Sequence, residues 1–170
     1  MPDKIEVILV DEQDRQVGTQ EKLAAHRAGV LHRAFSIFIF NSKGQMFLQK
    51  RAPCKCHSGE LWSNACCSHP RPGEELLPAA HRRLQEELGF DCPLREVGSF
   101  IYKVDLGTGV SEHEFDHVLV GQSDATPKVD PKEASEWALR NVADIQNDLQ
   151  THPELFSYWF PLALKQMKRE

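Results

Sequence analysis

The stretch WSNACCSHP, from Trp62 to Pro70, sets a thiol, Cys67, two residues ahead of an imidazole, His69. Cys67 is read as a reaction-centre residue of a metal-dependent enzyme, because free thiols and imidazoles are the side chains that exchange protons or bind metal near neutral pH. His26, His32 and His69, with Glu112 and Glu114, offer neutral nitrogens and carboxylate oxygens suited to a transition-metal site. Glu112 and Glu114 are two apart, so on a strand they share a face. Spacing alone does not join these segments, and most single histidines are packed or surface residues.

A second constellation is Arg82-Arg83-Leu84-Gln85-Glu86-Glu87-Leu88-Gly89. Arg82 with Glu86, and Arg83 with Glu87, are spaced i,i+4 and share a side of a helix, a pattern that by itself describes a solvated face laced with ion pairs. A third is Cys54-Lys55-Cys56-His57 with Cys66, which can be drawn as a zinc knuckle. The one-residue gap is poor for chelation, whose usual spacing is two to four residues. Cys66, beside Cys67 in an extended segment, points to the opposite face, toward core packing.

The elements that must carry these groups alternate in type. Residues 5–10 read as a strand, 11–18 as a polar turn, and 20–26 as a short helical or irregular segment. Residues 32–40 and 45–50 read as a hairpin about Asn41-Ser42-Lys43-Gly44. Residues 52–60 form a loop and 61–68 a short extended piece. Beyond Pro70-Arg71-Pro72-Gly73, Leu76, Ala80, Leu84 and Leu88 recur every four residues along one helical stripe, which Gly89 ends. Residues 94–104 and 114–120 read as strands about Gly107-Thr108-Gly109, 136–139 as a short strand, and 142–150 and 153–168 as helices. Strands flanked by a few helices predict an α+β or α/β/α layered domain with a mixed sheet.

Composition bounds the function. The 170 residues, 41% apolar, suit a single domain. The longest apolar run, residues 34–40, is far short of the roughly 20 needed to span a bilayer, and a cytoplasmic protein is expected. A net charge of -5 and a pI near 5.9 argue against nucleic acid as partner but leave room for a small anion. Five cysteines without secretory features point to thiol or metal chemistry in place of disulfides.

The Arg82 segment resembles the Nudix box, which binds a divalent cation and through it a diphosphate. Aligned on Gly89, the box's early Glu falls on Glu74, its Arg on Arg82 and its paired Glu on Glu86 and Glu87. Its initial Gly is Ser68 here, and the Glu that hydrolases use for metal is Arg83. The resemblance thus implies diphosphate binding and puts diphosphate cleavage in doubt.

Taken with TQEKLAAH ending at His26, LHRAFS around His32, and EHE at 112–114, the whole chain resembles the type 1 isopentenyl-diphosphate Δ-isomerases. The likeness runs over residues 5–164, with the stretch between His26 and His32 one residue shorter than relatives often have. It implies a Nudix-like α/β/α sandwich whose core covers about residues 30–164. The implied activity is interconversion of isopentenyl and dimethylallyl diphosphate in isoprenoid biosynthesis, by protonation and deprotonation through a tertiary carbocation. The alternative is a Nudix pyrophosphohydrolase acting on a nucleotide or prenyl diphosphate.

Carried over by motif, Cys67 and Glu114 are the acid-base pair, Tyr102 their hydrogen-bonding partner, and Trp159 the π-face toward the carbocation. Lys22, Arg51, Lys55, Ser68 and Arg83 are implied to bind the diphosphate. His26, His32, His69, Glu112 and Glu114 would hold Mn2+, Zn2+ or Mg2+, and Glu87, with the Cys67 carbonyl, a Mg2+ on the diphosphate. A monomer or weak dimer is expected.

Overall fold

The computed structural model describes residues 4–167. Strands β1 (Glu6–Val10) and β2 (Gln16–Glu21) precede helix α1 (Lys22–Ala28). Strands β3 (His32–Phe40), β4 (Met46–Arg51), β5 (Trp62–Ser63) and β6 (Cys66–Ser68) lead to helix α2 (Leu76–Leu88). Strands β7 (Leu94–Asp105), β8 (Ser111–Gln122) and β9 (Ala134–Arg140) are followed by helices α3 (Val142–Thr151) and α4 (Trp159–Gln166).

Strand β3 organises the sheet. Along one edge it pairs in parallel with β8, from His32↔Glu114 to Phe40↔Gln122. Its other edge is shared by three antiparallel partners: β1 at Leu9↔His32, β6 from Phe35↔Ser68 to Ile37↔Cys66, and β4 at Phe40↔Met46. Strand β7 closes an antiparallel hairpin on β8, and β9 pairs with β4. The sheet is therefore mixed.

Both faces of β3 are apolar, as a strand between two layers requires. Phe35, Ile37 and Ile39 pack with Cys66 against Ala79, Ala80, Leu84 and Leu88 of α2. Phe38, on the opposite face, packs with Met46, Leu48 and Val118 against Ile145 of α3 and Phe160, Ala163 and Leu164 of α4. The result is an α/β/α sandwich in which burying each large aliphatic side chain contributes about 1.5–3 kcal/mol. Helix α2 ends as its sequence requires, with Gly89 left-handed at φ 71 and its N–H donating to Gln85 O. Among the described residues, no helix is long and apolar enough to cross a membrane.

Two elements depart from the sequence reading. The polar 11–18 stretch, expected as a turn, contributes to an edge strand: β2 pairs with β1 from Glu6↔Glu21 to Val10↔Gln16. No residue of β2 is buried, so no apolar alternation marks it. Helix α1 then starts at Lys22, where the Glu21 carboxylate accepts from the Leu23 and Ala24 N–H groups at 2.9 Å.

The single helix expected over 153–168 is broken. A turn of 3-10 helix, Pro153–Leu155, gives way to extended Phe156, and α4 begins at Trp159. The chain straightens because the Ser157 N–H donates to Trp62 O and Phe156 bridges Trp62 of β5. Lys168 lies outside the described residues.

Candidate active site

Four segments converge below the first residues of β3. His26 comes from the last turn of α1, His32 opens β3, His69 follows β6, and Glu114 sits on β8 opposite His32. One ligand atom from each lies within 4.8 Å of all the others. His69 Nε2 is 3.1 Å and His32 Nε2 3.5 Å from Glu114 Oε1. The Val30 carbonyl lies 2.9 Å from His32 Nδ1, which fixes the proton there and leaves Nε2 as a lone pair.

The electrostatics favour the neutral, metal-binding forms of His26 and His69 and the charged form of Glu114. Burial, with repulsion from the neighbouring imidazoles, lowers His26 to about 4, and burial lowers His69 to about 4 against the pull of Glu114. Burial pushes His32 down too, but Glu114 more than offsets it. Glu114, although burial opposes its charge, is held well below the usual carboxylate range by His32 and His69.

His26 Nε2 and His32 Nε2 are buried without a hydrogen-bond partner. Leaving a buried polar atom unsatisfied costs about 1–3 kcal/mol, a cost that metal coordination removes. This donor set therefore fits a divalent metal ion.

Glu112 is placed differently. Sharing the Glu114 face of β8, it lies outside the four-residue group: its Oε1 is 2.9 Å from His57 Nε2, and its Oε2 accepts from Tyr102 Oη at 2.8 Å. Tyr102 Oη is also 2.8 Å from Glu114 Oε2. Burial and the two carboxylates raise the phenol well above its ordinary value, so it stays a donor.

Cys67 stands on β6 opposite Ser36 of β3. Its Sγ donates to Asn64 Oδ1 at 3.1 Å and accepts from Trp159 Nε1 at 3.1 Å, with Ser36 Oγ at 3.7 Å. Burial, with the charge of Asp116 nearby, raises the thiol to about 12 against the opposing pull of Ser36, Arg51 and Asn64. Trp159 also carries the Arg51 guanidinium over its ring at 4.9 Å, a cation–π contact, and its indole is almost fully buried.

Cys67, Glu112, Glu114, Tyr102 and Trp159 line one cleft of about 270 Å³ with Lys22, Arg51, Lys55 and Ser68. Arg83 and Glu87 are not among its lining residues. The Arg83 guanidinium is tied to Glu86 Oε2 at 2.6 Å, Glu87 Oε1 at 2.5 Å and Glu133 Oε1 at 3.2 Å. Glu87 is 2% exposed, and burial raises its carboxyl despite Arg83.

Residues 30–161 match the NUDIX domain family. The chain is 50% identical over 159 residues to isopentenyl-diphosphate Delta-isomerase 2 of Aromatoleum aromaticum, covering 94% of this chain and 84% of that protein. It is 47% identical over 161 residues to the isopentenyl-diphosphate Delta-isomerase of Serratia proteamaculans, covering 95% and 90%. The chain belongs to the isopentenyl-diphosphate Delta-isomerase family.

The fold is that of Nudix proteins. DR0079 from Deinococcus radiodurans superposes with a TM-score of 0.78 over 96% of this chain and 99% of its own, at 23% identity. MutT protein from Methanosarcina mazei gives 0.67 over 82% and 94%, at 17% identity.

Within this isomerase fold, sequence reasoning missed the groups that hold Cys67 and Glu112 in place. Asn64 lies inside the WSNACC block, three residues before the thiol it accepts from. An asparagine in the short connection between β5 and β6, inside a block of small and apolar residues, was the available signal, since a polar side chain there needs partners. Ser36 and Asp116, hydrogen-bonded at 2.7 Å behind the thiol, are polar residues in apolar strand sequence, a similar mark. His57 and Glu133 sit in loops and carry no periodic signal. The cysteines form no metal cluster among the described residues, and Cys54 and Cys56 are exposed.

Proposed function

We propose that Cys67 and Glu114 are the proton-exchanging pair by which this chain interconverts isopentenyl diphosphate and dimethylallyl diphosphate. The observation that carries the assignment is their placement: Cys67 on β6 and Glu114 on β8 flank β3 from its two edges and line one cleft. Isomerisation adds a proton at the terminal alkene carbon and removes one from the allylic carbon. It therefore needs one loaded and one empty proton carrier beside the hydrocarbon: one gives a proton as the other takes one, and proton exchange with solvent restores both before the next turnover.

The neighbours support those roles. Tyr102 Oη, 2.8 Å from both the Glu112 and Glu114 carboxylates, offers its one proton to either and holds them in place for the exchange. Asn64 and Trp159 pin Sγ from two sides. The Trp159 ring covers the apolar wall, where a π-face stabilises positive charge developing on the substrate and water is excluded. Lys22, Arg51 and Lys55 bind the diphosphate oxygens, with a Ser68 donor and Arg83 at the seat's outer side.

His26, His32, His69 and Glu114, with Glu112 as a fifth ligand, hold Mn2+, Zn2+ or Mg2+, and Glu87 with the Cys67 carbonyl holds a Mg2+ that arrives with the diphosphate. When bound, the first ion orients the Glu114 carboxylate and tunes its basicity, and the second neutralises phosphate charge.

The test is incubation of the purified chain with isopentenyl diphosphate and Mg2+, with and without added Mn2+, followed by assay for acid-labile allylic diphosphate. Its formation is expected. Release of inorganic phosphate or diphosphate without isomerised product would instead identify a hydrolase.

A further inference from the structure

Glu133 is a half-buried charged group that the isomerisation leaves without a task. Its backbone is fixed just before β9: its carbonyl accepts from the Ala52 N–H, and its N–H donates to Asp130 O. Its carboxylate spans two cations, with Oε2 2.5 Å from Lys55 Nζ and Oε1 3.2 Å from the Arg83 guanidinium. Burial opposes the charge, yet Lys55 and Arg83 together hold Glu133 below the usual carboxylate range, so it is ionised at neutral pH.

Two consequences follow for an incoming anion. Lys55, Arg82 and Arg83 face the carboxylates of Glu74, Glu86, Glu87 and Glu133, so this end of the seat offers a bare anion no net positive charge. Arg83 is also cut off from the cleft, since its terminal nitrogens are committed to carboxylates. Meanwhile Arg51 Nε and Arg83 Nε are buried with no partner, and Arg51 is 7% exposed. Of these unpaired donors, that of Arg51, a residue of the cleft lining, marks a seat that lacks an acceptor.

We propose that Glu133 makes the diphosphate seat selective for metal-bound diphosphate. In the free enzyme it occupies the two cations that phosphate oxygens would take, so a diphosphate enters favourably only with a divalent cation that satisfies Glu87 and Glu133 in their place. The proposal rests on the reading that Lys55 and Arg83 grip the diphosphate.

The experiment is calorimetric titration of inorganic diphosphate into the wild-type chain, Glu133→Gln and Glu133→Asp, each in excess Mg2+ and in EDTA. Glu136→Gln serves as a control, because Glu136 pairs with Lys50 at 3.2 Å on the exposed side of β9. Wild type is expected to bind at least about tenfold more tightly with Mg2+ than without, because the cation offsets the carboxylate charge that otherwise faces a multiply charged anion. Glu133→Gln should strengthen metal-free binding and shrink that ratio on the order of tenfold. Glu133→Asp and Glu136→Gln should keep it.

An unchanged ratio in Glu133→Gln, or weaker metal-free binding, overturns the proposal. If that variant does not fold, Glu133→Ser carries the same expectation. Failure of wild type to bind diphosphate under either condition removes the reading of the seat itself, and the inference with it.

Discussion

The protonation state of Cys67 can be tested by its reactivity. With its sulfur enclosed by Asn64, Trp159 and Ser36, burial raises the thiol to about 12. At pH 8 such a thiol is thiolate in about one molecule in 10⁴, whereas an ordinary thiol of pKa about 8.5 is about one quarter thiolate. That ratio, about 2,400, is partly offset because a more basic thiolate is more nucleophilic. A Brønsted slope of about 0.4–0.5 across the gap returns a factor of about 25–55.

Iodoacetamide at pH 8 should therefore alkylate Cys67 roughly 50–100-fold more slowly than exposed Cys54 and Cys56, which act as internal references. The assay is a peptide-resolved mass-spectrometric time course on the metal-free chain. The Cys67 rate should also keep rising about tenfold per pH unit up to pH 10, the slope of a thiol far below its midpoint. Labelling within a few-fold of Cys54, or a plateau below pH 10, would refute the enclosed, protonated thiol.

Three further outcomes are expected. Cys67→Ala should lower turnover by about 10²–10⁴ with circular dichroism unchanged, and near wild-type turnover would remove the thiol from the chemistry. In EDTA, the chain should lose stability as pH falls from about 6.5 to about 4, because the unfolded chain takes up protons that folded His26 and His69, both lowered to about 4, refuse. At pH 5 each should cost about 2 kcal/mol, with raised His32 returning part, and equal urea stability at pH 7.5 and pH 5 would contradict this. Leu84→Ala, at a fully buried position between α2 and β3, should cost about 2–5 kcal/mol in urea unfolding, and a loss below about 1 kcal/mol would contradict the packing.

What could be read from the sequence was whatever repeats with a period or travels with a short motif. The α2 stripe of Leu76, Ala80, Leu84 and Leu88 needs one apolar face and ends at a left-handed glycine, both local facts. His26, His32, His69 and Glu114 were named from motif resemblance, and the chain brings those four together. What escaped depends on pairing between distant segments. Strand β2 is recruited by β1 through backbone bonds its side chains do not announce. The break before α4 exists because Ser157 bonds to Trp62, far away in sequence, and that break helps place Trp159 against Cys67. Glu112 shares the Glu114 face of β8, as its spacing requires, but that spacing does not announce the contacts its oxygens also make with His57 and Tyr102.

The two ends of the site follow from two different uses of this fold. On the sheet, β3 acts as a spacer: β6 brings Cys67 opposite Ser36 on one edge, and β8 brings Glu114 opposite His32 on the other. Strand spacing of about 4.8 Å and a rise of about 3.3 Å per residue then put their Cα atoms roughly 16 Å apart on one face. Side chains reaching inward from that separation leave a gap between proton carriers that a five-carbon chain can fill. On the helix, Arg83 replaces the carboxylate that the Nudix box of hydrolases would carry, and it pairs with Glu86, Glu87 and Glu133, with Arg82 sharing Glu86 and Lys55 sharing Glu133. A cluster of uncompensated carboxylates would gather the metal charge that cleaves a diphosphate. Compensated by these cations, the same carboxylates suit the proposed reading, in which the seat holds the diphosphate while the bonds that change lie across the cleft, between Cys67 and Glu114.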